Sequence, residues 1–236
     1  MRMSNENNLE ANRLKAEQEE LQHKNQVKSA FRNYSRDLQE DHCALLADTP
    51  LNAFYQANRE RKALMLEEAL QHNQQFLNLI IGYIDEVEEE QSKPDPLTTS
   101  NNRSKIKTTL KQFYREWCDE GTEKDDFKRI VATLGRFLKK GDNVLVPGCG
   151  LGRLVYELVR AGFGAEGNEV TYFMLFGSNF IINAAQQKRQ FKIFPFISSA
   201  YYRDEEDQFR SILIPDESPS QEMGEEEQPN FCRAAG

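Results

Sequence analysis

Residues 143–169 read NVLVPGCGLGRLVYELVRAGFGAEGNE, and the rest of the chain is best understood outward from them. Asn143–Pro147 is a short β-branched run of the kind that forms a buried strand. It passes straight into Gly148-Cys149-Gly150-Leu151-Gly152, where glycines let the backbone turn tightly and approach a ligand that a Cβ would push away. RLVYELVRAG then reads as a helix stopped by Gly162, with unpaired N–H groups at its start. FGAEGNE follows as a second short strand, and VTYFMLFGSNFIINAAQQ as an apolar helical stretch of about 18 residues. Strand, glycine turn, helix, strand and helix in this order open a parallel α/β sheet.

A glycine turn alone is weak evidence for a ligand, because tight turns also serve only structure. Glu169 strengthens the reading: it ends the second strand about 20 residues after Gly148, where doubly wound folds place an acid on the ribose hydroxyls. NAD and S-adenosylmethionine both fit such a site. The G-x-G-x-G spacing tilts the choice toward S-adenosylmethionine, since dehydrogenases favour G-x-G-x-x-G to hold a pyrophosphate.

Upstream of residue 140 the periodicity is helical throughout. Ala30, Phe31, Tyr34 and Leu38 share one face, and Leu66, Leu70, Leu77, Ile80, Ile81 and Ile84 form the stripe of a long helix over residues 60–89. Asp48-Thr49-Pro50 and the stretch SKPDPLTTSNN punctuate these helices. Ile106, Leu110, Phe113 and Trp117 face a core in the next helix, leaving Gln112 and Arg115 off the stripe. A further helix over residues 124–139 turns Phe127, Ile130, Val131, Leu134 and Phe137 inward. Downstream, one more strand is expected near Phe191–Ile197 or Ile212–Ile214, and the charged, turn-rich DESPSQEMGEEEQP, with Tyr201, Tyr202 and Arg203 before it, reads as a surface insertion.

The totals exclude several classes. A net charge of −8 lacks the basic surface that general nucleic-acid binding requires. No run reaches the roughly 18 apolar residues of a membrane span, and the polar N-terminus has no signal-peptide core, so cytosol, with the nucleus also open, is expected. Cys43, Cys118, Cys149 and Cys232 stand far apart without histidine at ligand spacing, which favours reduced thiols over a disulfide framework or a metal site. His23, His42 and His72 read as ordinary helix or loop residues.

Three linked blocks carry a resemblance: VPGCGLGRL at Val146–Leu154, GNE at Gly167–Glu169 and FMLFGSNF at Phe173–Phe180. With TLKQFYREW at Thr109–Trp117 and AFRNY at Ala30–Tyr34, they resemble the carnosine N-methyltransferase family over residues 27–236. The resemblance implies a Rossmann-like class I methyltransferase sheet, incomplete here, preceded by an all-helical N-terminal region. Composition and periodicity divide the chain into a polar lead-in at 1–26, read as a solvated helix or a disordered segment, and helices at 27–139; the resemblance makes 140–236 the first part of an S-adenosylmethionine-binding domain. It implies that Gln112 and Arg115 hold the methionine end of S-adenosylmethionine, with the Arg115 fork on the carboxylate, that Gly148 and Gly150 approach the cofactor, and that Glu169 binds the ribose. Cys149 and Val170 depart from the family, which prefers a small residue and tryptophan there; Asn168 and Asn179 read first as structural hydrogen-bonders.

The substrate implied is a histidine-containing dipeptide, carnosine methylated on its imidazole to anserine, without nucleic acid, membrane or metal, and with a homodimer left open. The stretch from Asn143 to Gly236 is about half of the ~200 residues such a sheet needs. NFCRAAG would be its fourth strand, beside a central first strand, and the catalytic residues are expected beyond Gly236. On that reading the chain alone is poorly soluble or partly unfolded, binds cofactor weakly at best and does not methylate carnosine. The alternatives are a non-catalytic isoform that interacts with the full-length enzyme, a dehydrogenase fragment, and an adaptor built on the helices.

Overall fold

A computed structural model describes residues 2–45, 56–88, 100–198, 205–222 and 233–234. Four helices come first: α1 (Arg2–Leu45), α2 (Gln56–Val87), α3 (Ser100–Trp117) and α4 (Lys124–Leu134). They lead into β1 (Asn143–Pro147), α5 (Arg153–Arg160), β2 (Gly164–Glu169) and α6 (Tyr172–Asn183). Short elements complete the order: β3 (Phe191–Ile193), α7 (Glu205–Gln208), β4 (Ile212–Ile214), α8 (Pro219–Glu222) and β5 (Arg233–Ala234). Over the described residues the chain is mostly helical, with two small sheets.

Over its described residues the polar lead-in is helical. It is the first half of α1, exposed over residues 10–22 and supported by i,i+4 pairs such as Arg13–Glu17 and Lys15–Glu19. Burial starts at Val27, where Ala30, Phe31, Tyr34 and Leu38 dock on α2, α3 and α6. Asn73 of α2 joins these layers inside: its amide donates to Tyr34 Oη at 3.1 Å and to the Phe194 carbonyl at 2.9 Å, and accepts the Phe194 N–H at 2.7 Å. Phe76, Phe113, Phe180 and Phe191 bring α2, α3, α6 and β3 together edge-on or tilted, the arrangement aromatic quadrupoles favour.

The parallel pairing of β1 with β2 follows from the strand–turn–helix–strand order, with Val146 level with Gly167 and Pro147 with Asn168. The sheet differs from expectation beyond that. β5 pairs with β2, at Asn168–Arg233 and Glu169–Ala234, instead of flanking β1, so β1 stands at an edge among the described residues. Its exposure matches: Leu145 is 62% exposed, and only Val144 and Val146 are half-buried. A β-branched run signals a strand but not how many faces are covered. Both candidate later strands form, yet they pair with each other antiparallel, β3 with β4, as a second sheet apart from the first.

Other expectations shift for the same reason. α4 stops at Leu134 and buries none of its residues; Phe127, Val131 and Leu134 are half-covered, while Ile130 and Phe137 face solvent. α6 is shorter than its apolar stretch, running only from Tyr172 to Asn183. The supposed surface insertion begins inside: Asp216 and Ser218 are buried. Asp48-Thr49-Pro50, residues 92–99, Tyr201, Tyr202, Arg203 and the side chains of Cys43 and His42 lie outside the described residues. No described helix is long and apolar enough to cross a membrane.

Candidate functional site

The glycine turn joins β1 to α5, and its three glycines all take left-handed φ: +64° at Gly148, +59° at Gly150 and +79° at Gly152. The space above Gly148 is open, with no atom within 4 Å of where a Cβ would stand. Gly150 is glycine for another reason. A Cβ there would lie 2.6 Å from Oε1 of Glu116 and 3.8 Å from Nε2 of Gln112, so the side chains of α3 fill that cradle. Gly177 lets α6 close on the turn, since a Cβ would meet Leu151 Cδ2 at 2.7 Å and Phe113 Cζ at 3.1 Å.

Glu169 ends β2 beside the turn, as the motif order requires. Its Oε2 accepts the Gly150 N–H at 3.0 Å, and its Oε1 accepts the N–H groups of Val170 and Thr171, each at 2.9 Å. Three of about four acceptor positions on the carboxylate are thereby used. Gln112 stands on the other side, donating to Glu116 Oε1 at 2.7 Å and to Glu123 Oε2 at 3.1 Å. Arg115 reaches the turn only through Gln112, whose Oε1 accepts from its Nη1 at 3.1 Å, and its other Nη pairs with Glu123. The five positions singled out from sequence, Gln112, Arg115, Gly148, Gly150 and Glu169, thus cluster around one turn, with Arg115 outermost and about half exposed. Asn179 donates to the Leu175 carbonyl within its own helix, and Asn168 offers its carbonyl to the Cys149 N–H.

Sequence reasoning missed Glu116, Glu123, Arg153 and Asp216. Glu116 is buried and accepts the N–H groups of Leu151 at 3.0 Å and Arg153 at 3.1 Å. The one available signal was its position one turn after Gln112 on the flank of the apolar stripe. Arg153 is 2% exposed, pairs with Glu157 at 2.8 Å and Asp216 at 2.6 Å, donates to the Glu116 carbonyl at 3.2 Å and lies over the Trp117 ring at 4.9 Å. Asp216 also pairs with Lys124, and its N–H donates to the Trp117 carbonyl at 2.9 Å. Burial alone would raise the Asp216 carboxyl, but Arg153 and then Lys124 hold it below its ordinary value. Cys149 packs on Gly167, where a Cβ would lie 2.8 Å from its sulfur; it and Cys118 are buried and neither is in a disulfide. Val170 is 74% exposed. Among the described residues, no group of His, Cys, Asp and Glu is placed to hold a metal.

Burial pushes the Glu116 carboxyl up to about 7 and Glu123 adds to the rise, against the opposing donors from Leu151, Gln112 and Arg153. A carboxyl raised above its ordinary 4.5 contributes stability that is complete below that pH and fades as the pH climbs to about 7. The melting temperature of Glu116→Gln should therefore gain on that of the unaltered chain across this interval, by the equivalent of on the order of 2 kcal/mol. Parallel pH profiles for the two proteins would show instead that Glu116 stays ionised throughout.

The known proteins that this chain matches agree with one another. The family model for carnosine N-methyltransferase matches residues 92–235. The carnosine N-methyltransferase of Mus musculus is 34% identical over 170 residues, covering 65% of this chain and 42% of that protein. That of Schizosaccharomyces pombe is 38% identical over 141 residues, covering 56% and 37%. The Drosophila melanogaster protein carnosine N-methyltransferase unmet is 36% identical over 125 residues, covering 49% and 27%. The chain thus spans about two fifths or less of the length of these curated relatives. The matched stretch takes in α3, the glycine turn and Glu169 together, and the chain belongs to the carnosine N-methyltransferase family.

Proposed function

We propose that this chain builds the cofactor half of an S-adenosylmethionine-dependent N-methyltransferase of Rossmann-like class I type, acting on the imidazole of carnosine and related dipeptides to give anserine-type products. The observation that carries the reading is the convergence of Gln112, Arg115 and Glu169 on one glycine turn. The residues suit the group. Above Gly148 there is room for close backbone approach, and Glu169 is an oriented carboxylate at the end of β2. Glu123 supports the remaining role: a carboxylate already rests on Gln112 and Arg115, as an amino-acid carboxylate would.

When bound, S-adenosylmethionine supplies an electrophilic methyl on a sulfonium. The residues described here have the work of holding and orienting it: Arg115 and Gln112 the amino-acid end, Gly148 the approach, and Glu169 the ribose. The proton of the imidazole is left to residues outside this set. The named activities of the mouse and yeast relatives support carnosine as substrate.

Calorimetric titration of S-adenosylmethionine tests the reading. Arg115→Ala, at a half-exposed position, should weaken binding by about tenfold or more with little change in melting temperature. Arg115→Lys should lose much of the same, because an ammonium cannot match the planar fork. Glu123→Gln should tighten binding about two- to fivefold, since the competing internal carboxylate is neutralised. Unchanged affinity in Arg115→Ala would remove Arg115 from the site.

A further inference from the structure

The N–H groups of five consecutive residues in the turn are all donated within the chain. Cys149 donates to the Asn168 carbonyl at 3.0 Å, Gly150 to Glu169 at 3.0 Å, and Leu151 to Glu116 at 3.0 Å. Gly152 donates to the Cys149 carbonyl at 2.9 Å and Arg153 to Glu116 at 3.1 Å. A glycine turn before a helix ordinarily leaves such donors free, and together with the helix dipole they attract a phosphate. Here Glu116 bridges Leu151 and Arg153 with its two oxygens, and its Oε1 fills the space beside Gly150. An anion arriving there would meet a buried carboxylate and no free donor between residues 149 and 153.

We propose that Glu116 is the specificity-determining residue of this turn: its carboxylate fills the anion seat at the start of α5 and so turns away ligands that would put a pyrophosphate there. The inference rests on the cofactor reading above and deepens it. Two adenosine-containing ligands compete for such a fold, one with an anionic pyrophosphate and one with a cationic sulfonium, and an internal carboxylate repels the first far more than the second. G-x-G spacing alone does not make this distinction, whereas an acid carried in from a preceding helix does.

The test titrates the full chain, Glu116→Gln and Glu116→Ala in parallel with NAD as the pyrophosphate probe and with S-adenosylmethionine, after checking each variant for a cooperative melt. Both variants should bind NAD at least about tenfold more tightly than the unaltered chain, and the ratio of NAD to S-adenosylmethionine affinity should shift toward NAD by a similar factor. A purely structural role for Glu116 would weaken both ligands and strengthen neither. Folded variants with NAD affinity unchanged or unmeasurable would overturn the proposal.

If neither variant folds, the unaltered chain decides. NAD keeps its pyrophosphate charge between about pH 8 and about pH 6, while the Glu116 carboxyl gains its proton there. The charged groups around Glu116 are Glu123 on the N-terminal side of α4, Arg115 on its own helix, Glu169 across the turn, and Arg153 at the start of α5. NAD affinity should rise severalfold as the pH falls, and a flat profile would overturn the proposal. Failure of the unaltered chain to bind S-adenosylmethionine would sink the cofactor reading and leave the NAD comparison to stand or fall separately.

Discussion

Arg153→Ala should lower the unfolding free energy by about 3–5 kcal/mol, the range for removing one partner of a buried, hydrogen-bonded ion pair. The guanidinium is enclosed by Glu157 and Asp216, by the Glu116 carbonyl and by the faces of Trp117 and Tyr156. Deleting it leaves Asp216, itself 2% exposed at the side chain, with Lys124 as its remaining cation. Asp216 is held below its ordinary pKa, so its contribution is present above pH 3.8 and lost as the pH falls through the lower folded value. In Arg153→Ala the acid midpoint of unfolding should accordingly move up in pH. Arg153→Lys should recover only part of the loss, because one ammonium cannot span both carboxylates. Urea titration is the measurement, and a loss below about 1 kcal/mol would mean the cluster contributes little beyond its packing.

Gly150→Ala should destabilise the fold for two separable reasons. Its left-handed φ of +59° costs an L-residue about 1–2 kcal/mol. The new Cβ would also lie 2.6 Å from Glu116 Oε1, forcing the carboxylate off the N–H groups of Leu151 and Arg153 at about 1–3 kcal/mol for the buried donors left behind. The two causes separate in a double-mutant cycle. Combined with Glu116→Ala, Gly150→Ala should cost only its backbone share, giving a coupling of about 1–3 kcal/mol. Strict additivity would show that Glu116 moves aside freely. Gly148→Ala makes the contrast, since its φ is similar but its Cβ meets nothing.

The parts legible in the sequence were those with local causes. The β1–turn–α5–β2 unit is written in consecutive residues, and Glu169 follows once the second strand is placed. The stripe of Ile106, Leu110, Phe113 and Trp117 is buried as its spacing requires. What stayed hidden depends on which distant surface arrives. Phe137 has helical spacing, yet no described element covers it and it is 79% exposed. Asp216 sits in a stretch whose composition reads as solvent-facing, and it is buried because Arg153 and Lys124 wait beneath it. Glu116 resembles any acid on a helix flank until α3 lies against a turn 35 residues further on. Placing β1 at an edge was equally beyond local reading, because strand order is set by which partners dock and not by the strand's own residues.

The contacts that tie α3 to the turn have a consequence for the order in which the molecule assembles. β1, α5 and β2 are neighbours along the chain and close small loops quickly. Glu116 and Trp117 reach Leu151 across 35 and 34 residues, and Asp216 reaches Arg153 across 63. These closures cost more chain entropy and come later. The strand–turn–helix unit is therefore expected to form while its amides at Leu151 and Arg153 still face water. Slow amide exchange at those two positions marks the moment α3 arrives, and their early exchange on warming marks its departure.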